Sequence, residues 1–536
     1  MGTSYEDMLA HVSKKTSIER VHPEGRRLSY ETSDKINALN YDGVYLLKES
    51  KRYYPYKELL SHTLGYVGID NQGLSGLELI YDEYLKGEDG SIKYFSDGKG
   101  NRLEMAQVYE NPTDGITIGL TIDLNLQKAV EGALDEIVSK YTPEHALILA
   151  MDPQSGEILA MGSRPGFDPN NYKDYDTETI NRNLPIWMTY EPGSTFKIIT
   201  LASSIEEKTI DLFKDTFTDS GSINVEGATL HCWKHGGHGT QTYLEVVENS
   251  CNPGFVSMGQ KLGTQKLMSY IKSFGFGKKT GIDLNGESNG ILFNINKMGP
   301  VETATTAFGQ GISVTPLQQI TAVSAVVNGG NLYKPYIVKS LMNESGALLD
   351  YNEKVLVKKV ISKDTSSLVR FTLESVVANG TGRNAYIENY RVGGKTGTAQ
   401  KVKNGVYMVG NYIVSFIGFL PADDPEVVVY IAIDYPKGIT QYGGTVSAPI
   451  AREVLLDSIS ALNIKPSKGG FDKKYNWNDK KSYIVNDVVG MSVNEAIKEL
   501  KHFKVEYSGS GTKVIYQSPT KGTKLTEGST IKLMVG

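Results

Sequence analysis

The amino-acid sequence predicts a multidomain α+β protein, and three observations support this fold class. Its 536 residues exceed what one core of ordinary size organises, so two to four domains are expected. The contents of hydrophobic residues, 40%, and of charged residues, 22%, are typical of a folded chain. Apolar runs at residues 146–151 and 426–434 stand at the two ends of a long region with helical patterns between them. This order predicts a sheet that gathers distant chain segments, with helices packed around it.

Residues 1–110 form the first predicted domain. This stretch is polar and mixed in charge, and the glycine-containing segment 73–78 leads into a short amphipathic helix over residues 79–85. Gly87 ends that helix. The segment Asn111-Pro112-Thr113-Asp114-Gly115 breaks the pattern, so the second domain is predicted to begin there.

The second domain is predicted over residues 111–464. A helix opens it, two hairpins lie far apart in the chain, and a second helix closes it. In order, these elements are a helix at about 125–139, strands 146–151 and 157–161, strands 412–420 and 426–434, and a helix near 447–461.

The C-terminal part is predicted to be a linker followed by a separate small domain. Residues 465–481 are charged and contain glycine, which is typical of a linker, and the small domain covers residues 482–536. Ser492 with Glu495 three positions later predicts a capped helix at its start. The expected elements are a helix at 492–501 and strands at 503–507, 513–516 and 530–534.

Charge and hydropathy exclude some functions. The net charge of -5 gives no reason to expect a nucleic-acid partner, so that class is excluded. The sequence contains no run of about 18 apolar residues, which a membrane helix needs. It also shows no signal peptide, because Met1-Gly2-Thr3-Ser4 leads directly into polar residues. Taken alone, these two absences favour a cytoplasmic protein. The chemistry of the motifs described next argues instead for a location outside the cytoplasm.

Ser194 and Lys197 are the first candidate catalytic residues. A Pro-Gly turn and the apolar run that follows predict that Ser194 begins a helix, with Lys197 on the same face. A serine hydroxyl is a weak nucleophile until a base takes its proton, and a desolvated lysine with a lowered pKa can do so. The same Ser-x-x-Lys spacing occurs elsewhere in the chain, so the spacing alone does not establish a site.

Ser250 and Asn252 form the second element. A second serine can relay a proton between the lysine and a leaving group, and an asparagine amide can hold a substrate carbonyl. The alternative is a simple cap at a helix terminus, since Ser-x-Asn also recurs in the chain.

Lys395-Thr396-Gly397-Thr398 is the third element and has strand-like flanks. The charge of Lys395 suits a substrate carboxylate, and Gly397 allows a substrate backbone to approach closely. The edge of a strand can also supply an N–H group to an oxyanion hole. A second Lys-Thr-Gly begins at Lys279, but it follows a glycine-rich stretch typical of a loop, so Lys395 is preferred.

Ser-x-x-Lys, Ser-x-Asn and Lys-Thr-Gly in this order are the signature set of penicillin-binding proteins and serine β-lactamases. The chain resembles class B penicillin-binding proteins along nearly its whole length. A single PASTA repeat at the C-terminus is typical of the sporulation-specific type found in endospore formers. The similar segments are 73–78 in the N-terminal pedestal domain, the three motif contexts 190–197, 250–253 and 394–400, residues 307–311 with Thr315-Pro316, and the PASTA-like tail from about 482.

The resemblance implies a transpeptidase domain of the penicillin-binding-protein and serine β-lactamase fold, an antiparallel sheet flanked by helices. It implies a D,D-transpeptidase that cross-links peptidoglycan stem peptides, is inhibited by β-lactams and acts in spore cortex or septal wall synthesis. It also implies a membrane glycosyltransferase of the SEDS type as partner. In the family a single membrane helix anchors the domains outside the cytoplasm, so residue 1 is expected to follow a removed anchor.

The resemblance also implies a role for each motif residue. Lys197 deprotonates Ser194, which attacks the penultimate D-Ala carbonyl, while the N–H groups of Ser194 and Thr398 hold the oxyanion. Ser250 passes the proton to the departing D-Ala, and an amine of a second stem peptide resolves the acyl-enzyme. No cofactor is required for this chemistry. The donor carboxylate is bound at Lys395, Thr396, Gly397 and Thr398.

Both cysteines and three of the eight histidines fall within residues 231–251. Cys232, His235, His238 and Cys251 would offer two sulfurs and two nitrogens, a tetrahedral set for zinc. The alternatives are loop histidines beside buried thiols, and a disulfide in an oxidising compartment. Zinc is the favoured hypothesis, as a structural ion that fixes the loop around Ser250, although the family resemblance does not imply a metal.

Two other functions stay open from the sequence. A serine β-lactamase shares the motifs but needs a base that activates water for deacylation, and the large extra domains argue against it. A β-lactam-binding sensor, with the PASTA-like tail contacting cell-wall fragments, would need a signalling segment across the membrane, and none is visible.

Overall fold

Two structural units make up the chain, Met1–Phe471 and Asp472–Gly536. The computed structural model describes residues 3–16, 18–96, 102–403, 405–473 and 481–536. The division falls inside the predicted linker, of which residues 474–480 lie outside the described ranges. The predicted boundary after residue 110 lies within the larger unit and stays a prediction.

Short helices and one two-stranded antiparallel sheet form the N-terminal part of the larger unit. Glu78 is buried there, and Arg52 donates two hydrogen bonds to its carboxylate, at 2.7 and 3.0 Å. The predicted helix over residues 79–85 is in fact two helices, because Tyr81 leaves helical backbone geometry. The elements are α1 (Tyr5–Val12), α2 (Tyr30–Ala38), α3 (Ser61–Leu64), α4 (Gly76–Ile80), α5 (Asp82–Leu85), β1 (Ser91–Ser96) and β2 (Arg102–Glu110).

Strands and helices alternate irregularly through the rest of the larger unit, as the α+β prediction required. The elements are β3 (Thr117–Leu120), α6 (Leu124–Tyr141), β4 (His145–Met151), β5 (Ile158–Arg164), α7 (Thr177–Asn181), α8 (Leu184–Trp187), α9 (Lys197–Glu206), β6 (Thr216–Asp219), β7 (Ser222–Val225), β8 (Ala228–His231), β9 (Gly239–Thr242), α10 (Tyr243–Glu248), α11 (Asn252–Leu262), α12 (Thr264–Ser273), α13 (Pro300–Ala307), α14 (Pro316–Val327), β10 (Asn331–Tyr333), β11 (Val338–Met342), β12 (Leu348–Tyr351), β13 (Leu356–Lys359), α15 (Lys363–Asn379), β14 (Gly393–Lys403), β15 (Val406–Leu420), β16 (Val427–Asp434) and α16 (Gly443–Leu462).

A five-stranded antiparallel sheet lies at the centre of this unit, with the strand order β14-β15-β16-β4-β5. Both of its faces are covered. Leu147 and Leu149 of β4 face a core that contains α9, α11 and α14, while Ile148 faces a second core that contains α6 and α16. Burying each such leucine or isoleucine contributes about 1.5–3 kcal/mol. The chain between β5 and β14 therefore lies largely on one face, and β14 forms one edge.

Both predicted hairpins form in this sheet. Strands β4 and β5 pair as expected, and so do β15 and β16. Strand β15 starts earlier than predicted, at Val406, because it continues past the sheet and pairs there with the end of β14.

In its described residues, 472–473 and 481–536, the smaller unit contains one helix and two small sheets. The elements are β17 (Ser482–Ile484), α17 (Val493–Glu499), β18 (Lys504–Ser508), β19 (Val514–Ser518), β20 (Lys524–Thr526) and β21 (Thr530–Val535). Ser492 and Glu495 form the predicted capping box at the start of the helix. Strand β21 pairs in parallel with β18 and antiparallel with β19, and the predicted strands did not include β17 and β20.

Candidate active site

Ser194 lies in a short 3-10 turn, Gly193–Thr195, that leads directly into α9. The turn packs closely against strand β14. Gly193 has a positive φ of 54°, and a Cβ added there would lie 3.0 Å from the Cβ of Ala399 and 3.3 Å from the carbonyl oxygen of Thr398. Only glycine fits this approach without displacing the strand. The half-buried Ser194 is thereby held beside the Lys-Thr-Gly strand.

Lys197, at the start of α9, is fully buried and makes three hydrogen bonds. Its Nζ donates to the carbonyl oxygen of Ser250 at 2.9 Å, to the Ser250 Oγ at 3.2 Å and to the Oδ1 of Asn252 at 2.6 Å. Burial lowers the pKa of Lys197 to about 7, although the nearby thiols of Cys251 and Cys232 act to raise it. A substantial fraction of Lys197 is therefore a neutral amine near pH 7, able to accept a proton.

Ser250 stands between α10 and α11 with a left-handed backbone, at φ 52°. Such a conformation is uncommon for a residue other than glycine and persists only where the surroundings hold it. Its N–H donates to the carbonyl oxygen of Val247 at 3.1 Å, and its Oγ accepts from both Lys197 and Lys395. The hydroxyl thus bridges the two lysines.

Lys395 of β14 is also fully buried. Its Nζ donates to the Ser250 Oγ at 2.8 Å and to the carbonyl oxygen of Thr396 at 3.1 Å. Burial, and then the charge of Lys197, hold the pKa of Lys395 well below its ordinary value. Two neighbouring amines in a buried site favour one shared positive charge, and a bound carboxylate would stabilise it.

The other residues of the third motif are fixed by contacts with residues outside the motif. The Thr396 Oγ1 donates to the Oγ1 of Thr381 at 3.1 Å, and the Thr398 Oγ1 accepts the N–H of Gly443 at 3.2 Å. A Cβ at Gly397 would lie 2.2 Å from the Ser415 Oγ, so this position is restricted to glycine. Because β14 is an edge strand, it can pair with an extended peptide on its open side.

The structure therefore brings Ser194, Lys197, Ser250, Asn252 and the 395–398 strand into one site. The second Lys-Thr-Gly is elsewhere. Lys279 is exposed in a loop, and Thr280 beside it donates to the carboxylate of Glu287 at 2.6 Å.

The segment after α13 also contributes to the site. Its sequence resembles that of the family, but no role in the site was predicted from it. Gly309 accepts a hydrogen bond of 3.0 Å from the N–H of Gly193 through its carbonyl oxygen. A Cβ at Gly309 would lie 2.1 Å from the carbonyl oxygen of Gly193, and its φ is +84°. This loop therefore also packs against the nucleophile's turn.

Four side chains beside the Ser-Cys-Asn element could hold a metal ion. The ligand atoms of Asp219, Cys232, His238 and Cys251 all lie within 4.8 Å of one another, and both thiols are free. The Nδ1 of His238 lies 2.8 Å from the Oδ2 of Asp219, and the Cys251 thiol donates to that oxygen at 3.3 Å. The His238 Nε2 is buried and makes no hydrogen bond with a described residue. One carboxylate, one imidazole and two sulfurs suit Zn²⁺.

One of the four zinc ligands predicted from the sequence is wrong. His235 is exposed and lies outside the cluster, and Asp219 takes its place. The cause is the turn that follows His235. Gly237 has a φ of +76° and packs so closely on Asp219 that an added Cβ would lie 2.3 Å from the Asp219 carbonyl oxygen, so the chain brings His238 inward instead. An acidic residue 13 positions before Cys232 could have been considered from the sequence.

Electrostatics in the cluster favour one carboxylate and one thiolate. Burial acts to raise the pKa of Asp219, but hydrogen bonds from His238 and from the Gly221 N–H lower it to about 2. The hydrogen bond between the two thiols lowers the pKa of Cys232 and, together with burial, raises the pKa of Cys251. Cys232 is therefore the thiolate of the pair, and Cys251 would lose its proton only when a cation binds.

Comparison with known families gives three matches along the chain. The family descriptions and the residues matched are the penicillin binding protein transpeptidase domain over 146–456, the penicillin-binding protein dimerisation domain over 2–120 and the PASTA domain over 483–536.

Among curated proteins, the chain is 55% identical over 535 residues to stage V sporulation protein D of Bacillus subtilis (strain 168), covering 99% of this chain and 83% of that protein. It is 33% identical to a peptidoglycan D,D-transpeptidase FtsI homolog of Mesostigma viride, covering 82% of this chain and 77% of that protein.

Solved structures have the same fold. Penicillin binding protein 3 of Mycobacterium tuberculosis, complexed with aztreonam, is 28% identical with a TM-score of 0.70, covering 80% of this chain and 93% of that chain. Penicillin Binding Protein 2X of Streptococcus thermophilus is 23% identical with a TM-score of 0.71, covering 99% of this chain and 81% of that chain.

Proposed function

From the membership of this chain in the class B penicillin-binding proteins, we propose that the site at Ser194 performs a serine D,D-transpeptidase reaction in peptidoglycan synthesis during sporulation. The observation that carries the assignment to this site is the buried Lys197. Its pKa of about 7 makes it a base at neutral pH, and it lies three residues after Ser194 at the start of α9. Peptidoglycan D,D-transpeptidase activity is the function of the relatives that this chain matches along most of its length.

In the acylation step, Lys197 accepts the proton of the Ser194 hydroxyl as its Oγ attacks the carbonyl of the penultimate D-Ala. The C–N bond to the terminal D-Ala breaks, and the departing amine needs one proton. Ser250 is placed to deliver it, because its Oγ accepts hydrogen bonds from Lys197 and Lys395. Free D-Ala leaves, and an ester on Ser194 remains.

Strand β14 binds the donor peptide in this proposal. Lys395 offers the shared positive charge to the terminal carboxylate, with the hydroxyls of Thr396 and Thr398 beside it. The backbone N–H groups of Ser194 and Thr398 stabilise the oxyanion, and the close packing of Gly193 on Thr398 supports their convergence. An amine from a second stem peptide then attacks the ester and gives one proton to Lys197. The new amide forms as the C–O bond to Ser194 breaks, and Lys197 returns that proton to the Ser194 Oγ.

The proposed substrate also indicates where the protein acts and with which enzyme. Peptidoglycan is assembled outside the cytoplasm, so we place these domains there, next to a membrane glycosyltransferase of the SEDS type that supplies glycan strands. Within the described residues, each helix is too short or too polar to span a bilayer. β-Lactams mimic the D-Ala-D-Ala terminus and are expected to acylate Ser194.

A structural Zn²⁺ is the one metal in this proposal. It would be held by Asp219, Cys232, His238 and Cys251, and it supplies no step of the reaction. The hairpin of β7 and β8 ends at His231, whose carbonyl oxygen accepts the Asn252 Nδ2 at 3.2 Å. An ion at the neighbouring Cys232 would therefore fix the amide that holds Lys197.

The test is the intact mass of the protein after incubation with a labelled penicillin. A stable one-to-one adduct is expected for the parent, and Ser194→Ala should lose it while keeping its fold. Rapid turnover of penicillin without an adduct would assign the chain to the β-lactamases instead. An adduct mapped to another side chain would exclude Ser194 as the nucleophile.

A further inference from the structure

Glu191 connects three separate segments of the active-site region. It stands three residues before Ser194. Its Oε1 accepts the N–H of Gly311 at 2.8 Å, and the hydroxyl of Tyr407 lies 3.1 Å from both of its carboxylate oxygens. One side chain thus ties the nucleophile's turn to the 309–311 loop and to strand β15.

Tyr407 belongs to the part of the β14–β15 hairpin that extends beyond the sheet. Strand β16 pairs with β15 only from Ile413 onward. The pairing of β14 with β15 shifts register between Gln400 and Val402, and Val402 then pairs with Tyr407. We call residues 402, 403 and 405–407 the hairpin tip. Strand β16 does not extend along the tip, so we expect the contact of Tyr407 with Glu191 to help fix the position of the tip.

The Glu191 carboxylate is held by neutral donors. Within the described residues the Glu191 carboxylate has no ion pair, and Lys401 of β14 pairs with Glu144 and Asp434 instead. Burial raises the pKa of Glu191, partly opposed by the hydrogen bonds from Gly311 and Tyr407. Directional hydrogen bonds from a backbone N–H and a phenol fix a geometry, which a mobile surface ion pair does not do.

The hairpin tip lies along the path of a bound stem peptide. A peptide that pairs antiparallel with the open edge of β14, with its carboxylate at Lys395 and its reacting carbonyl at Ser194, runs towards Ala399–Lys401 in its N-terminal direction. Its remaining residues then reach the tip. This path rests on the proposed function.

We propose that Glu191 and Tyr407 are positioning residues that hold the hairpin tip next to the nucleophile's turn. The tip, held in this position, binds the part of the stem peptide beyond D-Ala-D-Ala. The reacting D-Ala-D-Ala end is bound by the 395–398 strand. Loss of the contact therefore weakens the binding of a long donor and leaves the chemistry at Ser194 intact.

The test compares two donors, a full stem pentapeptide and a short acyl-D-Ala-D-Ala. Tyr407→Phe removes only the hydroxyl, and it is expected to raise KM for the pentapeptide about tenfold. The kcat should stay within about twofold of the parent value, because the lost interaction stabilises the bound substrate and the transition state equally. The KM for the short donor should also stay within about twofold, because the short donor does not reach the tip. Tyr351→Phe, which alters an exposed tyrosine of β12, is the matched control.

Glu191 variants test the other partner. Glu191→Gln keeps an oxygen that accepts from Gly311 and a group that can bond the Tyr407 hydroxyl, so it should behave much like the parent. Glu191→Ala should raise the KM for the pentapeptide at least as much as Tyr407→Phe does, and because it also loses the hydrogen bond from Gly311 its kcat should fall as well. The double variant should be no worse than Glu191→Ala alone. Equal losses for both donors, or an unchanged KM for the pentapeptide in Tyr407→Phe, would overturn the proposal.

Hydrogen exchange separates this proposal from the proposed function. Amide exchange over residues 405–412 should be faster in Tyr407→Phe than in the parent, with or without substrate. Unchanged exchange would show that the contact does not hold the tip. Exchange that changes as expected in a parent protein that forms no penicillin adduct would contradict the transpeptidase assignment. It would then also contradict the role of the tip in binding the stem peptide.

Discussion

Ser250 Oγ accepts a hydrogen bond of 2.8 Å from Lys395 Nζ, although 145 residues separate the two in the sequence. The contact joins the second motif to the third. Lys197 donates to the same oxygen at 3.2 Å, so all three motifs meet at one hydroxyl. A proton can therefore move between the base and a leaving group without crossing solvent.

The first prediction concerns pH. Burial lowers the pKa of Lys197 to about 7, and only its neutral form accepts the Ser194 proton. Below this pKa most of Lys197 is an ammonium, and above it most is an amine. The rate of acylation by a labelled penicillin should therefore rise with pH and level off above about pH 8. A rate that is flat or falls over this interval would contradict the role of Lys197 as base.

The second prediction distinguishes the two Lys-Thr-Gly segments. Lys395→Ala removes the positive charge offered to the carboxylate, and acylation should slow about a hundredfold, which corresponds to ~2.7 kcal/mol. Lys279→Ala, in an exposed loop, should react like the parent. Stopped-flow or gel measurement of the labelled adduct gives both rates. Equal rates for the two variants would remove Lys395 from the site.

The third prediction concerns the loop behind the nucleophile. Gly309→Ala places a Cβ 2.1 Å from a backbone oxygen of Gly193, at a φ of +84°. The turn must shift, so we expect a loss of about 1–3 kcal/mol in unfolding free energy together with slower acylation. Gly132→Ala in α6 is the control, because nothing lies within 4 Å of the added Cβ there. Thermal unfolding and adduct formation are the measurements, and a Gly309→Ala protein as stable and reactive as the parent would contradict the close packing.

The order of the motifs together with the family resemblance was enough to predict the residues that meet at Ser250. The apolar runs predicted the two hairpins of the sheet but not the order of its strands. Lys395 could be separated from Lys279 because strands carry a recognisable pattern and loops do not. Contacts such as that of Glu191 with Tyr407, 216 residues apart, leave no local pattern, because they depend on how far a hairpin extends past its sheet. The presence of Asp219 in the cluster in place of His235 depends on the backbone conformation of Gly237, which the sequence alone does not specify.

The last prediction concerns zinc. Purified protein should contain about one zinc ion per chain, held by two thiols, one imidazole and one carboxylate. His238→Ala should lose the metal, since His238 lies within the cluster, while His235→Ala should keep it, since His235 is exposed. Chelation should lower the thermal unfolding temperature and slow acylation, because Asn252 is bonded to His231, next to Cys232. The measurements are elemental analysis and unfolding with and without chelator. A zinc content below about 0.1 per chain, or equal metal loss in both histidine variants, would contradict this site.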